Sequence, residues 1–131
     1  MGKVLIVDDD VEICETFSDI LTHAGYDVRI VKSGTEAFRE LRRVIPDVVL
    51  LDMQMPGVSG VLTLSFIRHL SRLTHTKIII ISGHPELAAS AKAVWGADLS
   101  LTKPVLPKQL LEAVSLVYDN QARVARASQP G

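Results

Sequence analysis

The chain has 131 residues, about one domain, and a domain of that size buries roughly two-thirds of its unfolded surface without needing a disulfide or a structural metal. It is 47% hydrophobic and 22% charged with a net charge of -1 and a pI of about 6.4, so bulk charge points to neither a nucleic-acid nor a membrane surface. Apolar runs such as Val48–Leu51 and Ile78–Ile81 are far shorter than the roughly 20 residues a membrane span needs.

In chain order, the N-terminus enters a strand-like run at once, Lys3–Val7, with no signal-peptide pattern before it. Ile13, Phe17, Ile20, Leu21 and Ala24 then share one helical face, and Gly25 follows as a C′ glycine should. Cys14 lies in that helix. As the single cysteine it excludes an internal disulfide and a cysteine-based zinc cluster, and it fits a small buried or half-buried residue in a reduced, cytoplasmic setting.

A second strand is expected at Asp27–Val31. Ser33-Gly34-Thr35-Glu36 reads as a capping box opening the second helix. A third strand covers Asp47–Leu51. The third helix is expected from near Ser59 or Gly60 to about Arg72, with Leu64, Ile67 and Leu70 inward. The fourth strand is Lys77–Ile81, and a fourth helix, opened by Pro85, carries Leu87, Ala91, Val94 and Trp95. A fifth strand falls around Asp98–Leu101. A fifth helix, opened by Pro107, carries Leu110, Leu111, Val114, Val117 and Tyr118. After about Asn120 the chain turns polar, so residues 1–119 read as one domain and 120–131 as a frayed tail or linker stub.

Five strands alternating with five helices predict an α/β fold: a doubly wound, flavodoxin-like parallel sheet in three layers, with strand order 2-1-3-4-5. Lys3–Val7, Val48–Leu51 and Ile78–Ile81 are nearly all apolar, as strands covered on both faces are.

The residues just past each strand carry the chemistry. They are Asp8, Asp9 and Asp10 after the first, Asp52 after the third, Ser82 and Gly83 after the fourth, and Lys103 and Pro104 after the fifth. Ligands of such sheets bind outside the carboxyl ends of the strands, where strand order reverses. Two carboxylates about 5 Å apart repel by roughly 3 kcal/mol at an effective dielectric near 20. Three together need a cation or shifted pKa values. Mg²⁺ suits the set, since it takes one or two protein carboxylates and leaves room for phosphate oxygens. Lys103 adds a positive charge and Ser82 a hydroxyl donor, a combination that fits phosphoryl transfer with an Asp nucleophile.

Singly, each residue has an ordinary structural reading. Asp8–Asp10 suit a solvated loop and helix cap, Asp52 a turn, Ser82-Gly83 a turn, and Lys103 an exposed loop. It is the joint arrangement over four strand ends that argues for a site.

The stretches Val4-Leu5-Ile6-Val7-Asp8-Asp9-Asp10, Pro46 through Gly57, Ile79-Ile80-Ile81-Ser82-Gly83, Gly96-Ala97-Asp98 and Leu101-Thr102-Lys103-Pro104 resemble the receiver domain of two-component response regulators, over residues 3 to 119. The resemblance implies that Asp52 accepts a phosphoryl group. It implies that Asp9 and Asp52 ligate Mg²⁺ directly with the backbone carbonyl of Gln54, while Asp8 holds the ion mainly through water. Lys103 would pair with Asp52 and then with the phosphoryl oxygens, Ser82 would swing inward to them, and Met53 and Gly83 would offer backbone contacts. It also implies a cis peptide at Lys103–Pro104 and places Gln54 and His84 where relatives tune dephosphorylation.

The implied partners are a sensor histidine kinase or phosphotransfer protein and a downstream output protein or output domain. The implied setting is cytoplasmic, with no direct nucleic-acid or membrane contact by this domain and with homodimerisation on phosphorylation left open. One departure stands out. The aromatic position of the family's fifth-strand pattern is Ser100, and the acidic position before it is Leu99. The expected consequence is a different signal on the face formed by the fourth helix, fifth strand and fifth helix, through repacking around Trp95 or Leu99.

Three other readings compete. A haloacid-dehalogenase-type phosphatase also uses an Asp and Mg²⁺, but it wants Thr or Val where Glu12 stands, and a longer chain. A phosphorylation-independent interaction module would usually lack the Asp or the Lys, and both are present. A flavodoxin-like nucleotide binder needs a phosphate loop where three aspartates stand.

Overall fold

The structure is a computed structural model that describes residues 2–55, 60–86, 89–90 and 96–127, with the backbone course alone for 121–127. Its strands are β1 (Lys3–Val7), β2 (Asp27–Val31), β3 (Val48–Asp52), β4 (Lys77–Ser82) and β5 (Leu99–Thr102). They form one parallel sheet of order β2-β1-β3-β4-β5, as expected. The helices are α1 (Val11–His23), α2 (Gly34–Leu41), α3 (Gly60–His69) and α4 (Pro107–Ala127). Of the fourth expected helix, residues 85–86 and 89–90 are helical, but Leu87, Ala91, Val94 and Trp95 lie outside the described residues, so four full helices are described rather than five.

The alternation of side chains sorts the core into two layers. Leu5 and Val7, Val49 and Leu51, and Ile78 and Ile80 pack on one face with Ala37, Leu41, Leu64, Ile67 and Leu73. Val4 and Ile6, Val48 and Leu50, and Ile79 and Ile81 pack on the other with Cys14, Phe17, Leu21, Leu110, Val114 and Val117. Such a period of two, buried on both sides, is what the unbroken apolar runs demand. On α1 the innermost residues are Cys14, Phe17 and Leu21; Ile13 and Ile20 flank them, and Ala24 is exposed as the C-cap.

Local chemistry sets the element ends. Asp10 caps α1, accepting from Glu12 N and Ile13 N. At its other end Gly25 takes φ 101, and Tyr26 N bonds Leu21 O, which is a Schellman closure. Ser33 Oγ accepts from Glu36 N as the capping box requires, but Glu36 reaches back to Lys32 N rather than to Ser33 N.

Two strand starts fall one residue later than the apolar pattern suggests, and each is preceded by an Asp whose side chain binds a neighbouring strand. Asp47 accepts from Lys3 N at 2.8 Å, and Asp98 accepts from Ile78 N at 2.8 Å. The third helix stops at His69, short of Arg72. Leu70 is extended, and the 3-10 turn Ser71–Leu73 drops Leu73 into the core. The polar stretch after Asn120, expected as a frayed tail or linker stub, continues the last helix to Ala127; its Gln, Ala and Arg residues are good helix formers.

Candidate functional site

The crossover α1 leads from β1 outward to β2, and α2 returns past β1 to β3, so strand order reverses between β1 and β3. Val7 pairs with Leu51, which sets the next residues, Asp8 and Asp52, abreast. Both are 2% exposed, whereas Asp9 is exposed. Asp8, Asp9 and Asp52 each present a carboxylate oxygen within 4.8 Å of the others.

Period-two alternation also decides who faces whom. Asp8 follows Val4 and Ile6, Asp52 follows Val48 and Leu50, and Lys103 follows Leu99 and Leu101, all on the α1–α4 face. Lys103 Nζ accordingly lies 3.3 Å from Asp52 Oδ1, which also accepts from Gln54 N at 3.0 Å. Ser82 follows Ile78 and Ile80 on the opposite face. It is fully buried, and its hydroxyl donates to His84 O and accepts from His84 N at 2.9 Å. In this state Ser82 therefore bonds its own loop, whereas Lys103 pairs with Asp52. The Lys103–Pro104 peptide is cis.

Burial pushes the Asp8 carboxyl up to about 6, and the charge of Asp52 adds to the rise against the opposing pull of Asp10 N–H and Lys103. Cys14 is buried as expected; it donates its thiol to Asp8 O at 3.1 Å, and burial with the nearby aspartates pushes the thiol up to about 11. A groove of about 490 Å³ opens beside Lys103, lined by Ile13, Phe17, Ile81, Pro104 and Val105.

A buried carboxylate held against two others, with one lysine for compensation, is short of positive charge. That donor set is all oxygen and suits a hard divalent ion. The response regulator receiver domain family model matches residues 4–115.

The chain belongs to that family.

It is similar to the DNA-binding response regulator MtrA of Mycobacterium tuberculosis, 30% identical over 112 residues, which cover 86% of this chain and 48% of MtrA. The chain thus spans about half the length of the MtrA relatives it matches. It is 31% identical to Protein PilG of Pseudomonas aeruginosa, over 86% of this chain and 84% of PilG. Among solved structures, the chemotaxis response regulator CheY4 of Vibrio cholerae superposes with a TM-score of 0.83 at 34% identity, covering 89% of this chain and 98% of that one. A receiver domain protein of Methanospirillum hungatei superposes at 0.87 with 29% identity, covering 94% and 98%.

Two features of this receiver escaped the sequence reading. Gly60 opens α3 hard against the acceptor turn: a methyl there would stand 2.6 Å from Met53 Cα and 3.0 Å from Asp52 O. The Gln54 carboxamide crosses to the next loop, where its oxygen accepts from Gly83 N at 2.9 Å. Both depend on separate loops meeting, which no local spacing encodes. At the departure on β5, Ser100 is exposed, while Leu99 is half-buried on the α1–α4 face. Leu99 therefore packs on the opposite side of the sheet from Ser100 and does not fill the aromatic position. Trp95 lies outside the described residues.

Proposed function

We infer that this receiver is a phosphoacceptor switch of a two-component system in which Asp52 takes a phosphoryl group from a phosphohistidine. The observation that carries the reading is the buried Asp52 carboxylate. It is held by Lys103 at 3.3 Å and by Gln54 N at 3.0 Å, with Asp8 and Asp9 beside it.

Asp52 attacks phosphorus in line. The new O–P bond forms as the donor's P–N bond breaks, and the imidazole leaves with the electron pair. Asp8, Asp9, Asp52 and the Gln54 carbonyl would hold Mg²⁺, which when bound neutralises charge on the phosphoryl oxygens. Lys103 orients the Asp52 oxygen beforehand and then pairs with the transferred group. Ser82 Oγ exchanges its His84 partners for a phosphoryl oxygen, and Met53 and Gly83 offer backbone contacts. The groove beside Lys103, with Val11 and Leu106 exposed next in sequence to its lining residues Glu12 and Val105, is the surface a histidine kinase or phosphotransfer protein would cover in reaching Asp52.

The added charge shifts a two-state equilibrium, which an output protein or output domain reads. Autodephosphorylation resets the switch, and no other turnover is assigned to it. The family membership supports a receiver that acts in the cytoplasm. Among the described residues no helix is long and apolar enough to cross a membrane.

Intact-mass measurement after incubation with acetyl phosphate tests the reading. A Mg²⁺-dependent adduct of one phosphoryl group on the wild type, absent from Asp52→Asn, is expected. No adduct on the wild type would leave the phosphorylation-independent interaction module as the better reading.

A further inference from the structure

The hydrogen bond from Gly83 N to Gln54 Oε1 joins two loops that leave the sheet from different strands, β3 and β4. It spans 29 residues of sequence. Both partners are exposed, so neither burial nor a local turn forces the contact. Gln54 is itself anchored, because its own N–H donates to Asp52 Oδ1. The side chain therefore starts from the acceptor carboxylate and ends on the first amide after Ser82. A methyl at this position would stand 3.4 Å from Gln54 Oε1, an ordinary contact, so the clasp is set by the two loops and not by the glycine itself.

We propose that Gln54 is a latch across the site, whose carboxamide oxygen occupies Gly83 N–H in the resting protein and must release it before the phosphoryl group can settle on Asp52. The inference rests on the phosphoacceptor reading and adds to it a positioning residue that acts through Gly83.

An amide N–H has one hydrogen and serves one good acceptor at a time. A phosphoryl oxygen is charged, and charge-assisted bonds outcompete neutral ones, so the incoming group displaces the carboxamide. Until then the latched fraction of molecules is not competent to receive it, and the apparent rate of acceptance falls by that fraction. The Ser82 hydroxyl is also engaged in the resting protein, but within its own loop. Among the described residues, the Gln54 contact is the side-chain hydrogen bond that couples the β4 loop to the acceptor turn, and substitution can remove it.

Gln54→Met keeps the length of the side chain and the backbone carbonyl assigned to Mg²⁺ but has no carboxamide acceptor. Two readouts on the full chain decide the matter. The first is amide hydrogen exchange at Gly83, followed by NMR without phosphodonor. Exchange about fivefold faster in Gln54→Met is expected from the loss of one ordinary hydrogen bond, with Gln54→Glu, which still accepts, restoring protection. The second is the initial rate of adduct formation with acetyl phosphate at saturating Mg²⁺, expected to rise by a similar factor in Gln54→Met. Equal Gly83 exchange in the wild type and Gln54→Met overturns the latch. So does an unchanged or slower rate in Gln54→Met when the wild type forms its adduct, an outcome that leaves Asp52 as acceptor. No adduct on either protein overturns the acceptor reading and the release step with it.

Discussion

Asp8 shows how one residue sets the conditions for a site. Its carboxyl titrates near 6 in the folded protein against 3.8 ordinarily, because it is buried beside Asp52. The native state therefore holds a proton that the unfolded chain gives up, and stability falls as pH rises from about 4 through 6. Without divalent ions the protein should be more stable to urea at pH 5 than at pH 7.5. Asp8→Asn should flatten that dependence and add about 2 kcal/mol at pH 7.5. A wild type whose stability rises over the same interval would contradict the assignment. Gly60 is the steric counterpart. Gly60→Ala drives a methyl into the Met53 backbone, so chemical denaturation should show a loss of about 1–3 kcal/mol. Mg²⁺ affinity, read by calorimetry, should fall with it, because the proposed ligands Asp52 and the Gln54 carbonyl belong to the same turn.

Elements are joined by a few directional contacts. Asp98 accepts from Ile78 N at 2.8 Å and from Arg68 at 2.7 Å, and Lys77 stands 3.7 Å away. Arg68 also donates to Gly96 O and Thr76 O, so α3, β4 and the entry to β5 meet at one carboxylate. Asp98→Ala should cost about 2 kcal/mol in urea unfolding, since it takes the acceptor from Ile78 N–H and from Arg68 Nη2 together. Asp98→Asn keeps an acceptor for the amide and should cost less. At α2, Ser33→Ala removes the acceptor for Glu36 N and should cost about 1 kcal/mol. These contacts also explain the element boundaries. The apolar period locates β3 and β5 to within a residue, but the Asp that precedes each is set apart by a bond to a neighbouring strand, which is a long-range event.

For the molecule as a whole, the two apolar layers hold the sheet without any ligand, so chelation should leave the fold intact. Mg²⁺ should instead raise Tm progressively with its concentration, as ligands that bind only the native state do. Scanning calorimetry on the wild type and on Asp9→Ala tests this. Asp9 is exposed and contributes little to the core, so Asp9→Ala should melt near the wild type without metal and lose most of the Mg²⁺ response. An equal response in both proteins would remove Asp9 from the ligand set.

The parallel five-stranded sheet, its order and the strand-end positions of Asp8, Asp9, Asp52, Ser82 and Lys103 were legible in the chain, because hydrophobic periodicity is local and the crossover rule leaves few topologies. So were the α1 cap region, the Gly25 closure and the Ser33 cap, each set within a few residues. What only the tertiary structure decided is which of these groups touch. Strand register brought Asp8 abreast of Asp52, and side-chain alternation sent Lys103 to Asp52 and Ser82 to the other face. The packing of separate loops placed Gln54 on Gly83 and Gly60 against Met53. Spacing along a chain encodes the face a residue takes within its own element, whereas a contact between elements depends on where the sheet and its loops deliver both partners.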